Sequence, residues 1–178
     1  MLSTPVQSPS EAQDNAAYDA LLWALSRPGQ TRVLPEPGET CIIGALLDRE
    51  CQVHAADPLL MPAVMRTGAA LTDIQEADHV FFGDMLSPEA LEKVVTGSDL
   101  YPDDGATVIV RARIGEGQAL RLTGPGVDGA VTLHVAGLPE GFWAARAAHL
   151  RYPMGFDLFL LDGRQIIGVP RSTQVEVL

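Results

Sequence analysis

The sequence predicts a single α/β domain with three layers, α/β/α, built around a mixed β-sheet. Helical and strand-like patterns alternate along the 178 residues, which is typical of layered α/β folds. Short apolar runs within 78–82 and 156–161 indicate strands that are covered on both faces. The length suits one domain, and no repeat or linker divides it. Residues 1–178 are therefore expected to form one domain, with residues 1–10, rich in Ser, Pro, Thr and Gln, as a flexible N-terminus.

The first half of the chain is predicted to begin with an amphipathic helix. Ser10 and Gln13 have the spacing of a capping box, and Leu21 and Leu25 recur at helical spacing. Pro28-Gly29 is expected to end this helix. The elements predicted next are a strand at 31–34, a buried helix at 40–48, a strand at 51–55, a helix at 58–66 and a strand at 78–82.

The second half changes from helical spacing to period-two alternation. Ser87-Pro88-Glu89 predicts a helix start, because serine caps, proline suits the first turn and glutamate complements the helix dipole. Gly97 is expected to end that helix. Alternating segments at 107–114, 120–123 and 130–135, separated by glycine turns, predict an antiparallel meander. A helix at 140–150 and strands at 156–161, 165–169 and 173–177 complete the prediction.

The charge of the chain limits its partners. Twenty-three carboxylates against twelve cations give a net charge of −11, and such a surface repels nucleic acid and anionic lipid. We therefore expect neither a nucleic-acid nor a membrane partner. The imbalance either favours a basic partner subunit or simply keeps the protein soluble.

Targeting signals and cysteine spacing favour the cytoplasm. Residues 1–17 lack the basic start and apolar stretch of a signal peptide, and no window approaches the ~20 apolar residues of a membrane helix. Cys41 and Cys51 form neither a metal-binding nor a redox spacing. A cytoplasmic protein with reduced thiols is the expectation.

Motifs predict no catalytic residue, no metal and no cofactor. The four histidines, at 54, 79, 134 and 149, have no paired metal-ligand spacing. The single lysine, Lys93, falls on the expected solvated face of a helix, whereas Schiff-base chemistry needs a desolvated lysine. The sequence contains no nucleophile elbow, Walker loop or zinc-protease motif.

A first candidate for ligand binding combines Arg121 and Thr123 with the loop that contains Gly124 and Gly126. A three-residue hairpin loop would place Arg111 opposite Arg121, where an anion or a carboxylate between the two cations would be favourable. A two-residue loop would put Arg121 on the other face. The glycines match G-x-G-x-x-G, but a strand follows them, so a tight turn is favoured over a dinucleotide site.

A second candidate is Arg171-Ser172-Thr173, which follows Pro170. Its guanidinium and hydroxyl groups are donors that can hold an oxyanion. The alternative is a loop whose hydroxyls satisfy its own backbone.

Several short segments carry a resemblance that extends over nearly the whole chain. They are Ala24–Gly29, Thr96–Thr107, Arg121–Gly126, Gly137–Pro139, Tyr152–Asp157 and Pro170–Val177. In order and spacing they are similar to the PhnH family, the H subunits of the bacterial carbon–phosphorus lyase system. Residues 35–95 match that family mostly by pattern.

The resemblance implies a fold like the large domain of pyridoxal-phosphate-dependent transferases, without the cofactor or its lysine. It implies a homodimer that joins the G, I and J subunits in a core complex. That system attaches a phosphonate to the ribose of ATP and displaces adenine, before the iron–sulfur J subunit cleaves the carbon–phosphorus bond. The H subunit would be non-autonomous, with no catalytic residue to carry over. The alternative is an independent module that binds a phosphonate or a nucleotide.

Overall fold

The computed structural model describes residues 6–178. Its α-helices are α1 (Pro9–Ser26), α2 (Glu39–Leu46), α3 (Met61–Thr67) and α4 (Phe142–His149). Short 3-10 helices span Pro58–Leu60, Pro88–Lys93 and Pro102–Asp104. The strands are β1 (Thr31–Val33), β2 (Gln52–Ala55), β3 (Ala70–Leu71), β4 (His79–Gly83), β5 (Thr107–Arg111), β6 (Arg113–Thr123), β7 (Val131–Ala136), β8 (Asp157–Asp162), β9 (Gln165–Val169) and β10 (Gln174–Val177). Within residues 6–178, none of the helices has the length and apolar character needed to cross a membrane.

A seven-stranded mixed sheet forms the centre of the fold. Its strand order is β1-β9-β8-β5-β4-β2-β3. The five strands from β8 to β3 are parallel, and β9 and β1 continue the sheet in antiparallel pairing. This arrangement confirms the predicted mixed sheet.

Alternating side chains of the central strands supply two separate cores. In β4, Phe81 faces the core beneath α1, α2 and α3, whereas Val80 and Phe82 face the opposite core. In β8, Phe159 faces the core beneath α1, α2 and α3, and Leu158 faces the opposite core. Burial on both faces explains why these strands read as apolar runs. The three-layer α/β architecture is confirmed.

The third layer contains a small sheet as well as helices. The strands β10, β6 and β7 pair antiparallel in the order β10-β6-β7. Leu120, Leu122 and Val135 of this sheet pack into the same core as Phe142 of α4. The glycine-rich stretch 124–129 is the turn between β6 and β7, as predicted.

The predicted hairpin that would pair 107–114 with 120–123 is wrong. β5 lies inside the central sheet between β4 and β8, and the chain passes at Ala112 into β6 of the small sheet. β6 continues through the glycines at 115 and 117, with an irregularity in its pairing to β7. Arg121 therefore pairs with Thr132 and Glu176 across the small sheet, and not with Arg111.

Two predicted helix starts also differ from the structure. The capping box of α1 is formed by Ser8 and Glu11, since the Ser8 hydroxyl accepts from the Glu11 amide at 3.2 Å and the Ser8 amide donates to the Glu11 carboxylate at 2.7 Å. Ser87 precedes a 3-10 helix that ends at Lys93, and its side chain makes no cap. Helix α1 thus begins at Pro9, within residues 1–10, which were predicted as a flexible N-terminus. Residues 1–5 lie outside the described part of the chain.

We predict that His79 lowers the free energy of unfolding as the pH is decreased from about 6.5. Its Nδ1 is buried at the start of β4 and has no hydrogen-bond partner among residues 6–178. Burial lowers the pKa of His79 from 6.5, although the charges of Asp78 and Asp48 oppose the shift. Between pH 6.5 and the lowered pKa, His79 is therefore protonated in the unfolded chain but neutral in the folded chain. Protonation of the unfolded chain stabilises it relative to the folded chain. The melting temperature of His79→Gln should fall less than that of the parent between pH 7.5 and pH 5.5. The same substitution at the exposed His134 is the control, and a parental pH profile for His79→Gln would contradict the prediction.

Candidate functional site

The carboxyl ends of the parallel strands carry a cluster of charged side chains around Arg111. Arg111 ends β5, Asp57 follows β2, Asp84 follows β4, and Glu39 begins α2. Arg111 Nε donates to Glu39 Oε1 at 2.6 Å, and Nη2 donates to Asp57 Oδ2 at 2.9 Å. Nη1 reaches Asp84 Oδ2 at 3.3 Å. Open α/β sheets commonly bind ligands at this end, so the cluster is one candidate site.

The chemistry of the Arg111 cluster does not suit an anion. Its three carboxylates surround one guanidinium, and Glu39 is only 4% exposed. Hydrogen bonding to Glu39 raises the pKa of Arg111, while the Leu59 amide and then Arg111 lower the pKa of Asp57. Across residues 6–178, no group of three or more His, Cys, Asp or Glu side chains is arranged to hold a metal ion. The cluster stabilises the strand ends, and its excess of negative charge would repel a phosphonate.

A cavity of about 510 Å³ opens near the opposite end of the sheet, beside α4. Its walls are α4, the chain that follows β9, and Pro125 of the β6–β7 turn. The lining residues are Pro125, Trp143, Arg146, Ala147, Leu150, Tyr152, Arg171, Ser172, Thr173, Gln174 and Val175. They include two arginines and no carboxylate, although the whole chain carries a net charge of −11. This volume lies within the range of small-molecule sites.

Arg146 is the buried cation of this cavity. It shares the buried face of α4 with Phe142 and Trp143 and is only 2% exposed. Nη2 donates to the carbonyl oxygens of Pro170 at 2.8 Å and Val169 at 3.3 Å, and Nη1 donates to that of Thr173 at 3.3 Å. Its Nε has no hydrogen-bond partner within the described part of the chain.

The charge of Arg146 is not neutralised by direct contact with an acid. In the described part of the chain, ion pairs involve Arg111, Arg113, Arg121 and Arg171, but not Arg146. Burial lowers the pKa of Arg146 to about 10, and the more distant charge of Asp157 opposes that shift. The guanidinium therefore stays positive at neutral pH in a water-poor environment.

The chain from Pro170 to Thr173 forms a turn that faces Arg146. The Thr173 amide donates to the Pro170 carbonyl at 2.9 Å. The amide and Nε of Arg171 donate to Asp157 Oδ1 at 2.8 and 3.3 Å, and its Nη2 donates to Oδ2 at 2.9 Å. Thr173 is 2% exposed, and its Oγ1 has no partner among the described residues. Within residues 6–178, Thr173 Oγ1 and Arg146 Nε are thus both buried without a hydrogen-bond partner, and the two residues are joined by the bond from Arg146 Nη1 to the Thr173 carbonyl.

The structure separates the sequence-predicted ligand residues into two sets. Arg171, Ser172 and Thr173 line the cavity, and Gly124 and Gly126 flank its Pro125 wall. A side chain on Gly124 would lie 2.9 Å from the Ser172 carbonyl oxygen, so the two predicted loops are in contact.

The remaining predicted residues lie outside this lining. Arg121 is on the outer face of the small sheet, half exposed, with its Nη1 3.5 Å from Glu176 Oε2. Thr123 ends β6 opposite Gln174 and is not part of the cavity wall.

Sequence reasoning missed Arg146. The sequence predicts the helix at 140–150, but it assigns no role to Arg146. The available signal was its position: Arg146 falls three and four residues after Trp143 and Phe142, which places it on the apolar face of α4. A charge on an apolar helix face is rarely buried unless it is partnered.

The fold and the cavity define a layered α/β protein with a cationic, apolar-walled pocket beside its last helix. The family described as bacterial phosphonate metabolism protein (PhnH) matches residues 6–176. The C-P lyase subunit protein HtxG of Stutzerimonas stutzeri is 32% identical over 173 residues, which cover 93% of this chain and 87% of that protein. The alpha-D-ribose 1-methylphosphonate 5-triphosphate synthase subunit PhnH of Rhizobium meliloti (strain 1021) is 33% identical over 186 residues. The alignment covers 93% of this chain and 90% of that protein. The chain belongs to the PhnH family, as its sequence segments predicted.

Segments that carried the family resemblance converge on Arg171. Its Nη1 donates to the Pro102 carbonyl and its Nη2 to the Gly105 carbonyl at 3.3 Å. The Gly155 amide donates to the Thr96 carbonyl at 2.9 Å. A side chain on Gly105 would overlap the Gly155 backbone, so these two segments touch through their glycines. Three of the segments that carry the resemblance, 96–107, 152–157 and 170–177, are thus in contact around Arg171.

Proposed function

We propose that the chain is a non-autonomous subunit of a carbon–phosphorus lyase core complex in phosphonate catabolism. In this role it supports the formation of ribose 1-phosphonate 5-triphosphate from ATP and a phosphonate. It acts as a homodimer together with the G, I and J subunits, in the cytoplasm. The observation that carries the proposal is the family match over residues 6–176, with relatives named as subunits that align with 93% of the chain.

The acidic surface supports assembly with a basic partner. A net charge of −11 disfavours capture of a free polyanion by long-range attraction. The same field accelerates association with a positively charged protein surface. Six of the eleven arginines contact carboxylates or carbonyl oxygens of the chain itself, namely Arg111, Arg113, Arg121, Arg146, Arg164 and Arg171.

A reconstitution tests the proposal directly. The other subunits of the complex, supplied with ATP and methylphosphonate, should release adenine at least tenfold faster when this protein is added. The physical basis is that the missing subunit completes the assembly. Adenine is measured by liquid chromatography, and the same protein after irreversible heat denaturation is the control. Equal release with and without the protein would overturn the subunit assignment.

A second candidate function is an independent module that binds a phosphonate or a nucleotide. The observation that favours it is the cationic cavity beside α4, with its buried Arg146. This candidate predicts saturable binding by the isolated protein, without any other subunit. Binding and adenine release are separate measurements, so the two functions are distinguishable.

A further inference from the structure

We propose that the outer edge of β7, the edge that faces away from β6, binds an extended basic segment of a partner protein as an additional strand. The main-chain groups of Thr132 and His134 pair with that segment, and the carboxylates of Asp128 and Glu140 hold its ends. This inference deepens the proposed function by naming a docking surface and the chemistry of its partner. It rests on that function only for the identity of the partner as another subunit.

The register of the small sheet fixes which backbone groups of β7 point outward. The Leu178 amide donates to the Ala119 carbonyl at 3.0 Å, which directs the backbone groups of Ala119 towards β10. Backbone groups of successive residues in a strand point in opposite directions. Those of Leu120 therefore point towards its partner in β7, Leu133. The two neighbours of Leu133 consequently direct their amides and carbonyls away from the sheet, and these neighbours are Thr132 and His134.

These outward groups form an open sheet edge. β7 is the last strand in the order β10-β6-β7, and both Thr132 and His134 are exposed. Among residues 6–178, no turn, loop or further strand forms a backbone hydrogen bond with either residue on this side. The edge thus offers two donors and two acceptors in strand geometry, which is a template for pairing with another chain.

The other three edges of the two described sheets are protected against strand pairing. β3 has only two residues, β1 has three and includes Arg32, and β10 has four and includes Glu176. Short length and charged side chains are the usual means by which proteins protect sheet edges. β7 has six residues, and none of them is Asp, Glu, Lys, Arg or Pro. It is therefore the edge best suited to recognition by strand addition.

The charges around β7 favour a basic segment. Asp128 precedes the strand and Glu140 follows it, both are exposed, and neither belongs to an ion pair among residues 6–178. The two arginines of β6, Arg113 and Arg121, already have carboxylate partners. The edge is thus uncharged along its length and acidic at both ends. Because six residues of strand span about 17 Å, the complementary segment has a basic side chain near each end of a similar length.

A second copy of the chain is less complementary to this edge. Antiparallel pairing of β7 with its own copy forms the most hydrogen bonds when His134 lies opposite His134 of that copy. Asp128 and Glu140 each lie six residues from His134, so this register brings Asp128 of one copy towards Glu140 of the other. Like charges that face each other across paired strands are destabilising. We therefore assign the edge to a different, basic protein, and the proposed homodimer uses another surface.

A matched pair of proline substitutions tests the edge. Thr132→Pro removes an outward N–H without breaking a hydrogen bond of the small sheet, a position where strands tolerate proline. Thr31→Pro is the control on β1, because the Leu34 amide donates to the Arg164 carbonyl and the groups of Thr31 therefore point outward. Binding to the complex of the G, I and J subunits is measured by biolayer interferometry. Thr132→Pro should raise Kd about tenfold or more, and Thr31→Pro should leave it within about twofold.

Hydrogen–deuterium exchange of the parent protein gives a readout for single amides. The amides of Thr132 and His134 should exchange about tenfold or more slowly in the complex than in the free protein. The Leu133 amide faces β6 and should be protected in both states. This measurement needs no substitution, so it decides the question if Thr132→Pro does not fold by circular dichroism.

A peptide tests the chemistry of the segment without the other subunits. It alternates valine and threonine over six residues and carries a lysine at each end, and its fluorescence anisotropy reports binding. The same peptide with glutamate at both ends should bind about tenfold more weakly at low ionic strength, because exposed charges are least screened there. Asp128→Asn with Glu140→Gln should weaken the lysine peptide about threefold, whereas the exposed control pair Glu50→Gln with Asp99→Asn should not.

The outcomes separate this inference from the proposed function. A complex that forms while the Thr132 and His134 amides exchange at their free rates would overturn the docking edge and leave the subunit assignment standing. If no complex forms, the subunit assignment fails, and the lysine peptide decides: saturable binding with slower exchange supports the edge, and no binding overturns it. Equal binding of the lysine and glutamate peptides would overturn the basic partner. Exchange that slows as the concentration of the protein alone increases would assign the edge to a second copy, which also overturns the proposal.

Discussion

Arg111→Met is expected to lower the free energy of unfolding by about 3 kcal/mol, as happens when one partner of a buried ion pair is removed. The Glu39 carboxylate is buried and accepts from Arg111 Nε and Nη2 at 2.6 and 3.2 Å. Methionine fills much of the same volume but leaves that carboxylate without its cation. Because Arg111 is 32% exposed, water reaches part of the site and keeps the effect near the lower end of the range for buried pairs.

Urea unfolding followed by circular dichroism measures the effect of Arg111→Met. Arg113→Met is the control, because Arg113 forms an ion pair that is largely exposed to solvent, with its Nε 3.7 Å from Glu116 Oε2. The control should change stability by no more than about 0.5 kcal/mol. The double variant Glu39→Met with Arg111→Met should recover part of the loss, because no buried charge remains. Parental stability of Arg111→Met would show that Glu39 does not depend on its cation.

Gly168→Ala is expected to destabilise the fold by about 3 kcal/mol or more, because β9 packs directly on the backbone of α1. A methyl group at Gly168 would lie 2.6 Å from the carbonyl carbon and oxygen of Ala24 and 2.7 Å from the amide nitrogen of Leu25. Gly168 also pairs with Phe159 of β8, inside the central sheet. Neither the strand nor the helix backbone can move away without disturbing the core between them.

Gly44→Ala is the matched control for Gly168→Ala. Gly44 lies exposed on α2, and the atom nearest to an added methyl group is Asp14 Oδ1 at 2.7 Å, the free end of a side chain. Alanine is favoured over glycine in a helix interior by up to about 1 kcal/mol. Thermal unfolding should therefore show a melting temperature lowered by roughly 6–12 °C for Gly168→Ala, and one unchanged or raised for Gly44→Ala. Equal stability of the two variants would contradict the packing argument.

The central strands were predictable because their signal is local. Residues 78–82, 156–161 and 165–169 combine short apolar runs with nearby turn residues, and all three form strands of the central sheet. Burial on both faces removes polar residues from such strands, so their composition alone identifies them. The helix at 40–48 was similarly visible, and α2 spans Glu39–Leu46.

The pairing of 107–123 was not predictable from the same kind of pattern. Alternation is identical for a strand that turns back on its neighbour and for one that leaves for a second sheet. The structure places Arg111 in the central sheet beside Glu39, and Arg121 in the small sheet beside Glu176. Two arginines that a hairpin would have joined therefore belong to different environments.

The candidate cavity was foreseen only in part. Arg171, Ser172 and Thr173 carry donors that any reading of the sequence can recognise. Arg146 becomes a candidate only when α4 packs against the turn after β9, because that packing buries its guanidinium and leaves Nε without an acceptor among residues 6–178.

The sequence by itself determined the three-layer α/β class, the mixed sheet and the PhnH family, since periodicity, turn residues and short motifs are properties of neighbouring residues. The tertiary structure alone decided which charges meet. Glu39 and Arg111 are 72 residues apart, and Arg146 and Thr173 are 27 apart. Whether an arginine is paired with a carboxylate, as Arg111 is, or bonded only to carbonyl oxygens within residues 6–178, as Arg146 is, depends on which distant segments the folded core brings to it.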